Sequence, residues 1–247
     1  MVMLMSCSMS SWPSCTDTDC VSWRVSINHG VAVVMSTWVR SFWAALFCLA
    51  AMPVSAATVL VFGDSISASY GMDIQQGWVA RLDKRLATRS PGQHTVINAS
   101  VSGETTTGGL HRLPALLKQH DPDVVVLELG ANDGLRGQPP ALIKRNLEAM
   151  IRLSRQSGAR VVVLGMRILP NYGKAYSEAF AGVFPAASKS GGASVLPFFL
   201  AGVGGVPALM QKDGIHPNTK AQPLLLELAW PLIIDAVNRS AKNRTSR

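Results

Sequence analysis

After residue 57 the chain alternates between two hydrophobic periods. Five short runs are apolar and rich in β-branched residues: 58–62, 95–98, 124–129, 160–164 and 194–199. The third holds Val124, Val125, Val126 and Leu127 without interruption, as a central parallel strand covered on both faces requires. Between the runs the apolar residues recur at helical spacing. Trp78, Leu82 and Leu86 share one face, as do Leu110, Leu113, Leu116 and Leu117 and, more loosely, Leu142, Leu147, Ile151 and Leu153. A last helix is predicted from near Asn218 through 224–237, with Pro223 in its early turns and Pro231 kinking it. Strands alternating with helices predict an α/β protein with three layers, α/β/α, around a five-stranded parallel sheet. Its expected strand order is the flavodoxin-like 2-1-3-4-5. Residues 57–247 contain no internal repeat, linker or low-complexity tract, so they read as one domain.

The first 56 residues follow other rules. Residues 42–51 form a short apolar run preceded by Arg40 and followed by Val54, Ser55 and Ala56, the layout of an export signal with its small-residue cleavage site. The run is shorter than the ~20 residues a spanning helix needs. Residues 1–34 are rich in Ser, Met and Cys and carry Asp17 and Asp19, which fit no signal. The expected start is therefore Met35, with a signal peptide over 35–56, cleavage near Ala56 and a periplasmic or secreted domain at 57–247. Cys7, Cys15, Cys20 and Cys48 all precede that cut, so disulfides, thiolate catalysis and Cys-based zinc sites are excluded from the domain. The chain carries a formal charge of +8. The leader removes two charges of each sign, Arg24, Arg40, Asp17 and Asp19, so the excess persists. The basic residues are scattered, with no basic and aromatic stripe of the kind a nucleic-acid groove needs. No nucleic-acid partner and no stable membrane insertion are expected.

In open α/β sheets ligands bind beyond the carboxyl ends of the strands. The polar clusters fall there. Gly63-Asp64-Ser65 follows the first strand, Asn98–Glu104 the second, and Gly130-Ala131-Asn132-Asp133 the third, while Asp213-Gly214-Ile215-His216 precedes the final helix. A serine hydroxyl is a weak nucleophile until a base takes its proton. His216 is the best base available, since His29 is in the leader, His94 precedes a strand, and His111 and His120 lie in or after a leucine-rich helix. Asp213, three residues before it, can hold one ring nitrogen. Ser65, Gly103 and Asn132 offer donors for the oxyanion that attack on a carbonyl creates. Each motif alone is also explained as a turn, a cap or a surface pair; all of them in this order at strand ends are not.

These blocks resemble those of the SGNH (GDSL-type) hydrolases, in particular the bacterial thioesterase I/protease I/lysophospholipase and arylesterase group. The resemblance spans about residues 58–235 and extends through Asn132–Gly137, Asn171-Tyr172-Gly173 and 196–199. It implies the SGNH hydrolase fold and a Ser65–His216–Asp213 triad with Ser65, Gly103 and Asn132 as oxyanion hole. It also implies an acyl cleft, with Leu110, Leu135, Pro170 and Tyr172 as candidate walls and 132–137 as a mobile lip. The nucleophile is not in a Gly-x-Ser-x-Gly elbow, which disfavours the α/β-hydrolase superfamily.

The expected function is a monomeric serine esterase that hydrolyses acyl esters and thioesters through an acyl-serine intermediate, with no metal and no cofactor. Its expected partners are small acyl-ester, thioester or lysolipid substrates. The alternatives are a carbohydrate O-acetylesterase with the same catalytic parts, and a non-catalytic acyl-lipid-binding protein on the same fold.

Overall fold

A computed structural model of the chain describes residues 56–168 and 170–245. The expected leader, with its start at Met35, lies outside the described residues except for Ala56.

The five strands are β1 (Ala57–Gly63), β2 (His94–Asn98), β3 (Val124–Glu128), β4 (Arg160–Leu164) and β5 (Ser194–Leu196). They pair in parallel in the order β2-β1-β3-β4-β5, as the periodicity predicts. β3 is buried at every position, which accounts for its unbroken apolar run. The α-helices among the described residues are, in chain order, α1 (Trp78–Arg89), α2 (Thr106–His120), α3 (Ala131–Leu135), α4 (Pro140–Gln156), α5 (Lys174–Gly191) and α6 (Gln222–Thr245). α1 packs against α6, and α4 packs against both α2 and α5, so the sheet has helices on both faces. Trp78, Leu82 and Leu86 are buried on α1, Leu113 and Leu117 on α2, and Leu147 and Ile151 on α4, the stripes their spacing predicts.

Three elements depart from the sequence pattern. α5 was not among the expected helices. Its buried stripe of Phe180, Val183, Phe184 and Ala187 is helical in period, but Gly182 and Pro185 interrupt the run, and packing against α4 carries the helix through the missing N–H. β5 ends at Leu196 because Pro197 cannot continue it. α6 begins at Gln222 rather than near Asn218. The Asn218 side chain donates to the carbonyls of Ala208 and Met210 and accepts from the Lys220 N–H, so it closes a turn.

Candidate active site

β1 delivers the candidate nucleophile, Ser65. Its last residue, Gly63, pairs in register with Glu128 at the end of β3, and a Cβ at Gly63 would lie 2.7 Å from Glu128 Oε2. Only glycine leaves room there for a carboxyl side chain beneath the turn. Ser65 follows, half-buried. From the far end of the chain, an antiparallel bridge between Met210 and Pro217 closes a loop that carries His216. Gln211 fastens this loop: its N–H donates to the His216 carbonyl (2.7 Å), and its side-chain amide donates to the carbonyls of Tyr70 (2.7 Å) and Pro217 (3.2 Å).

The result is a continuous relay. His216 Nε2 lies 2.9 Å from Ser65 Oγ, and His216 Nδ1 lies 2.7 Å from Asp213 Oδ2. Asp213 Oδ1 accepts the N–H groups of Ile215 (2.9 Å) and His216 (3.0 Å). The His216 N–H and ring, followed by the Ile215 N–H, pull the Asp213 carboxyl down from its ordinary 3.8 to about 2. It is therefore a stable anion, able to hold the proton of Nδ1 in place and leave Nε2 to accept one. The Tyr70 ring lies against the imidazole at 4.6 Å between centroids.

The three expected oxyanion donors converge on the same edge. Among the described residues the N–H groups of Ser65 and Gly103 have no protein acceptor. Gly103 sits in a turn at φ +79°, a conformation that favours glycine. Arg112 secures the segments on both sides of it, with an ion pair to Glu104 (2.6 Å) and a hydrogen bond to the Ala99 carbonyl (2.6 Å). Asn132 Nδ2 donates to Asp64 Oδ2 (3.1 Å) and to the Glu104 carbonyl (3.0 Å), so its amide is already turned toward the nucleophile loop. Next to it, buried Asp133 accepts the N–H (2.8 Å) and the hydroxyl (2.6 Å) of Thr106, the first residue of α2. That clamp ties the loop bearing Gly103 to the helix bearing Asn132.

Two buried acids that the motifs leave without a role complete this layer. Asp64 accepts from the Ile66 N–H and from Asn132, and burial raises its carboxyl from 3.8 to about 6. Glu128 is fully buried and accepts from the Ser67 hydroxyl (2.8 Å) and the Asp64 N–H (3.3 Å). Burial, and then the Asp64 charge beside it, push its carboxyl well above the usual range. A glutamate ending an otherwise apolar strand was the available signal for Glu128, since such a group is rarely buried without a partner. Nothing comparable marked Tyr70 or Gln211.

Beside the relay lies an apolar cavity of about 210 Å³, walled by Ile66, Leu135, Ile168, Phe180, Met210 and Ile215 among others. Ile66 and Ile215 are the chain neighbours of Ser65 and His216, so the cavity adjoins the reacting atoms. Of the proposed wall residues, Leu135 lines it. Leu110 does not, because it is half-buried and packs against the hydrophobic core from α2. Tyr172 is not in the wall; it donates from its hydroxyl to the Leu135 carbonyl (2.9 Å), in the turn Pro170–Tyr172. The segment expected as a lip begins as the helical turn α3. It is held by Tyr172, by Tyr176 at the Gln138 carbonyl (2.7 Å) and by Arg136 at the Gly103 carbonyl (3.2 Å). Among the described residues no group of three or more His, Cys, Asp or Glu could hold a metal ion, and no helix is long and apolar enough to cross a membrane.

Residues 61–223 match the GDSL-like lipase/acylhydrolase family. The chain is similar to esterase TesA of Pseudomonas aeruginosa, 53% identical over 179 residues that cover 72% of this chain and 89% of that protein. It is 42% identical to thioesterase 1/protease 1/lysophospholipase L1 of Escherichia coli K12, covering 70% of this chain and 81% of that one. A crystal structure of TesA superposes with a TM-score of 0.70 at 52% identity, covering 72% of this chain and 99% of that chain.

Proposed function

This chain belongs to the GDSL-like lipase/acylhydrolase family and is a serine esterase, and on that premise we propose that Ser65, His216 and Asp213 carry its reaction. The observation that supports the assignment best is the unbroken relay from Asp213 through His216 to Ser65, at 2.7 and 2.9 Å. Ser65 Oγ attacks the carbonyl carbon of the ester as its proton passes to His216 Nε2. The carbonyl electrons move onto oxygen, which takes hydrogen bonds from the N–H groups of Ser65 and Gly103 and the amide of Asn132. Collapse of this intermediate breaks the bond to the leaving group, which receives the proton from His216 and departs as an alcohol or thiol. Water then repeats the sequence on the acyl-serine, and the carboxylic acid leaves.

The cavity supports a medium acyl chain in preference to an acetyl group, because each buried methylene contributes about 0.8 kcal/mol. Thioesters and lysolipids fit the same reading: the chemistry at Ser65 is unchanged when the leaving group is a thiol or a glycerol hydroxyl. All the groups invoked come from one chain, which supports action as a monomer. The export pattern of 35–56 supports work outside the cytoplasm, where esters and lysolipids are the available substrates.

Hydrolysis of p-nitrophenyl esters by the wild type and Ser65→Ala tests the assignment. The wild type is expected to label with a fluorophosphonate and to prefer octanoyl to acetyl esters. Ser65→Ala is expected to lose both hydrolysis and labelling while its circular dichroism stays unchanged. A folded Ser65→Ala protein with wild-type turnover refutes the nucleophile, and a strict acetyl preference favours the carbohydrate O-acetylesterase instead.

A further inference from the structure

The relay and the oxyanion donors leave a fully buried glutamate unused, at the end of β3. Glu128 is completely inaccessible. Its Oε2 takes the Asp64 N–H on one side of the nucleophile and the Ser67 hydroxyl on the other, so one side chain grips the turn at both shoulders of Ser65. The grip continues sideways, because Asp64 in turn holds Asn132. From behind, the Ser67 carbonyl accepts from the Asn98 side chain (2.8 Å). Glycine at position 63 makes room for this arrangement, since any side chain there would collide with Oε2 and with the Ser67 hydroxyl. Oε1, by contrast, is buried with no hydrogen-bond partner among the described residues.

We propose that Glu128, as the neutral acid, is a positioning residue for the esterase reaction, fixing Ser65 through residues 64 and 67 and the Asn132 amide through Asp64. The inference rests on the serine-esterase reading above. An anion at Glu128 would place a second negative charge beside Asp64, whose own charge only His216 offsets in part, and would leave one buried oxygen with no hydrogen bond among the described residues. The neutral acid keeps the acceptor oxygen that the turn needs and avoids that charge. Glutamine does the same: its carbonyl accepts both bonds, and its amide replaces the other oxygen.

The substitutions Glu128→Gln, Glu128→Leu and Ser67→Ala separate this role from packing alone. In the intact protein, kcat and KM are measured with p-nitrophenyl octanoate, and Ser65 is timed independently by its rate of fluorophosphonate labelling. Wild-type hydrolysis and its loss in Ser65→Ala are established first, so that a failure of the esterase reading is seen separately. Glu128→Gln is expected to keep kcat within about threefold, since every bond to the turn survives. Glu128→Leu is expected to lose about 10²-fold in kcat and in labelling rate with KM within about threefold, the signature of a displaced nucleophile. Should Glu128→Leu not fold, Ser67→Ala decides, with an expected loss of about 10-fold in kcat at unchanged KM. A loss of more than about 10-fold in Glu128→Gln overturns the neutral-acid role, and wild-type kcat in a folded Glu128→Leu or in Ser67→Ala overturns the positioning role.

Discussion

The carboxylate of Asp213 is held by three N–H groups, two from the backbone of its own turn and one from the imidazole ring. Their combined pull, which lowers its carboxyl to about 2, keeps it charged whenever His216 needs it. Asp213→Asn removes the charge and can turn an NH2 toward Nδ1, reversing the tautomer, so kcat is expected to fall by about 10³–10⁴ with the fold intact. Steady-state kinetics on a p-nitrophenyl ester measure this, and a drop of less than about 10-fold would separate Asp213 from the reaction. Asn132 stands differently. Both amide protons are engaged in the free protein, one at Asp64 and one at the Glu104 carbonyl, so under the proposed mechanism the developing oxyanion competes with an existing acceptor. Asn132→Ala is expected to lower kcat by about 10²–10³ while KM moves little, because the donor acts on charge that appears only during reaction. A rise in KM at constant kcat would instead make Asn132 a ground-state binding group.

At the scale of elements, what the sequence reveals depends on whether a residue acts through its neighbours in the chain or through distant ones. β1, β3 and β4 are legible because burial on both faces demands continuous apolar residues, and alternation with helices makes the sheet parallel. The polar side chains of the relay are legible because each closes a loop at a strand end. α5 is obscured by Pro185 and Gly182, although its buried stripe is present, and α3 by a Gly-Ala-Asn-Asp-Gly string that reads as a turn. Glu128 and Gln211 depend on contacts with residues far away in sequence, which no local period records. The hidden elements are coupled at one point: a Cβ on Gly134 of α3 would approach the Phe180 ring of α5 at 2.6 Å. The ring is large, buried and packed edge-on against Phe184, so it cannot swing away freely. Gly134→Ala is therefore expected to cost about 1–3 kcal/mol, seen as a lowered midpoint in urea. It should also reduce kcat, because α3 carries Asn132. An unchanged midpoint would mean that α3 and α5 yield to one another.

For the whole molecule, the buried acids and the exposed relay carboxylate push stability in opposite directions with pH. Asp213 titrates lower in the folded state than in the unfolded chain, so its contribution is present above the ordinary carboxylate range and is lost as pH falls through about 2. Asp64 and Glu128 titrate higher in the folded state. Their contribution is complete at pH values below the ordinary carboxylate range and is lost as pH rises through about 6 for Asp64 and, for Glu128, as its raised pKa is passed. His94, whose pKa is lowered by burial and by Arg89, adds stability in the opposite sense across mildly acidic pH. A single pH profile of the wild type therefore mixes several groups, and the difference between two proteins isolates one. Glu128→Gln cannot ionise at this position but leaves the other groups in place. The wild type should lose ground to Glu128→Gln steadily as pH is raised from 5 to 9 at constant ionic strength, in urea midpoints measured side by side. A difference that stays constant over that range would mean that Glu128 is ionised to the same extent in the folded and the unfolded protein. The alkaline loss would then have to come from elsewhere in the molecule, and the turn beneath Ser65 would be supported by a carboxylate rather than by an acid.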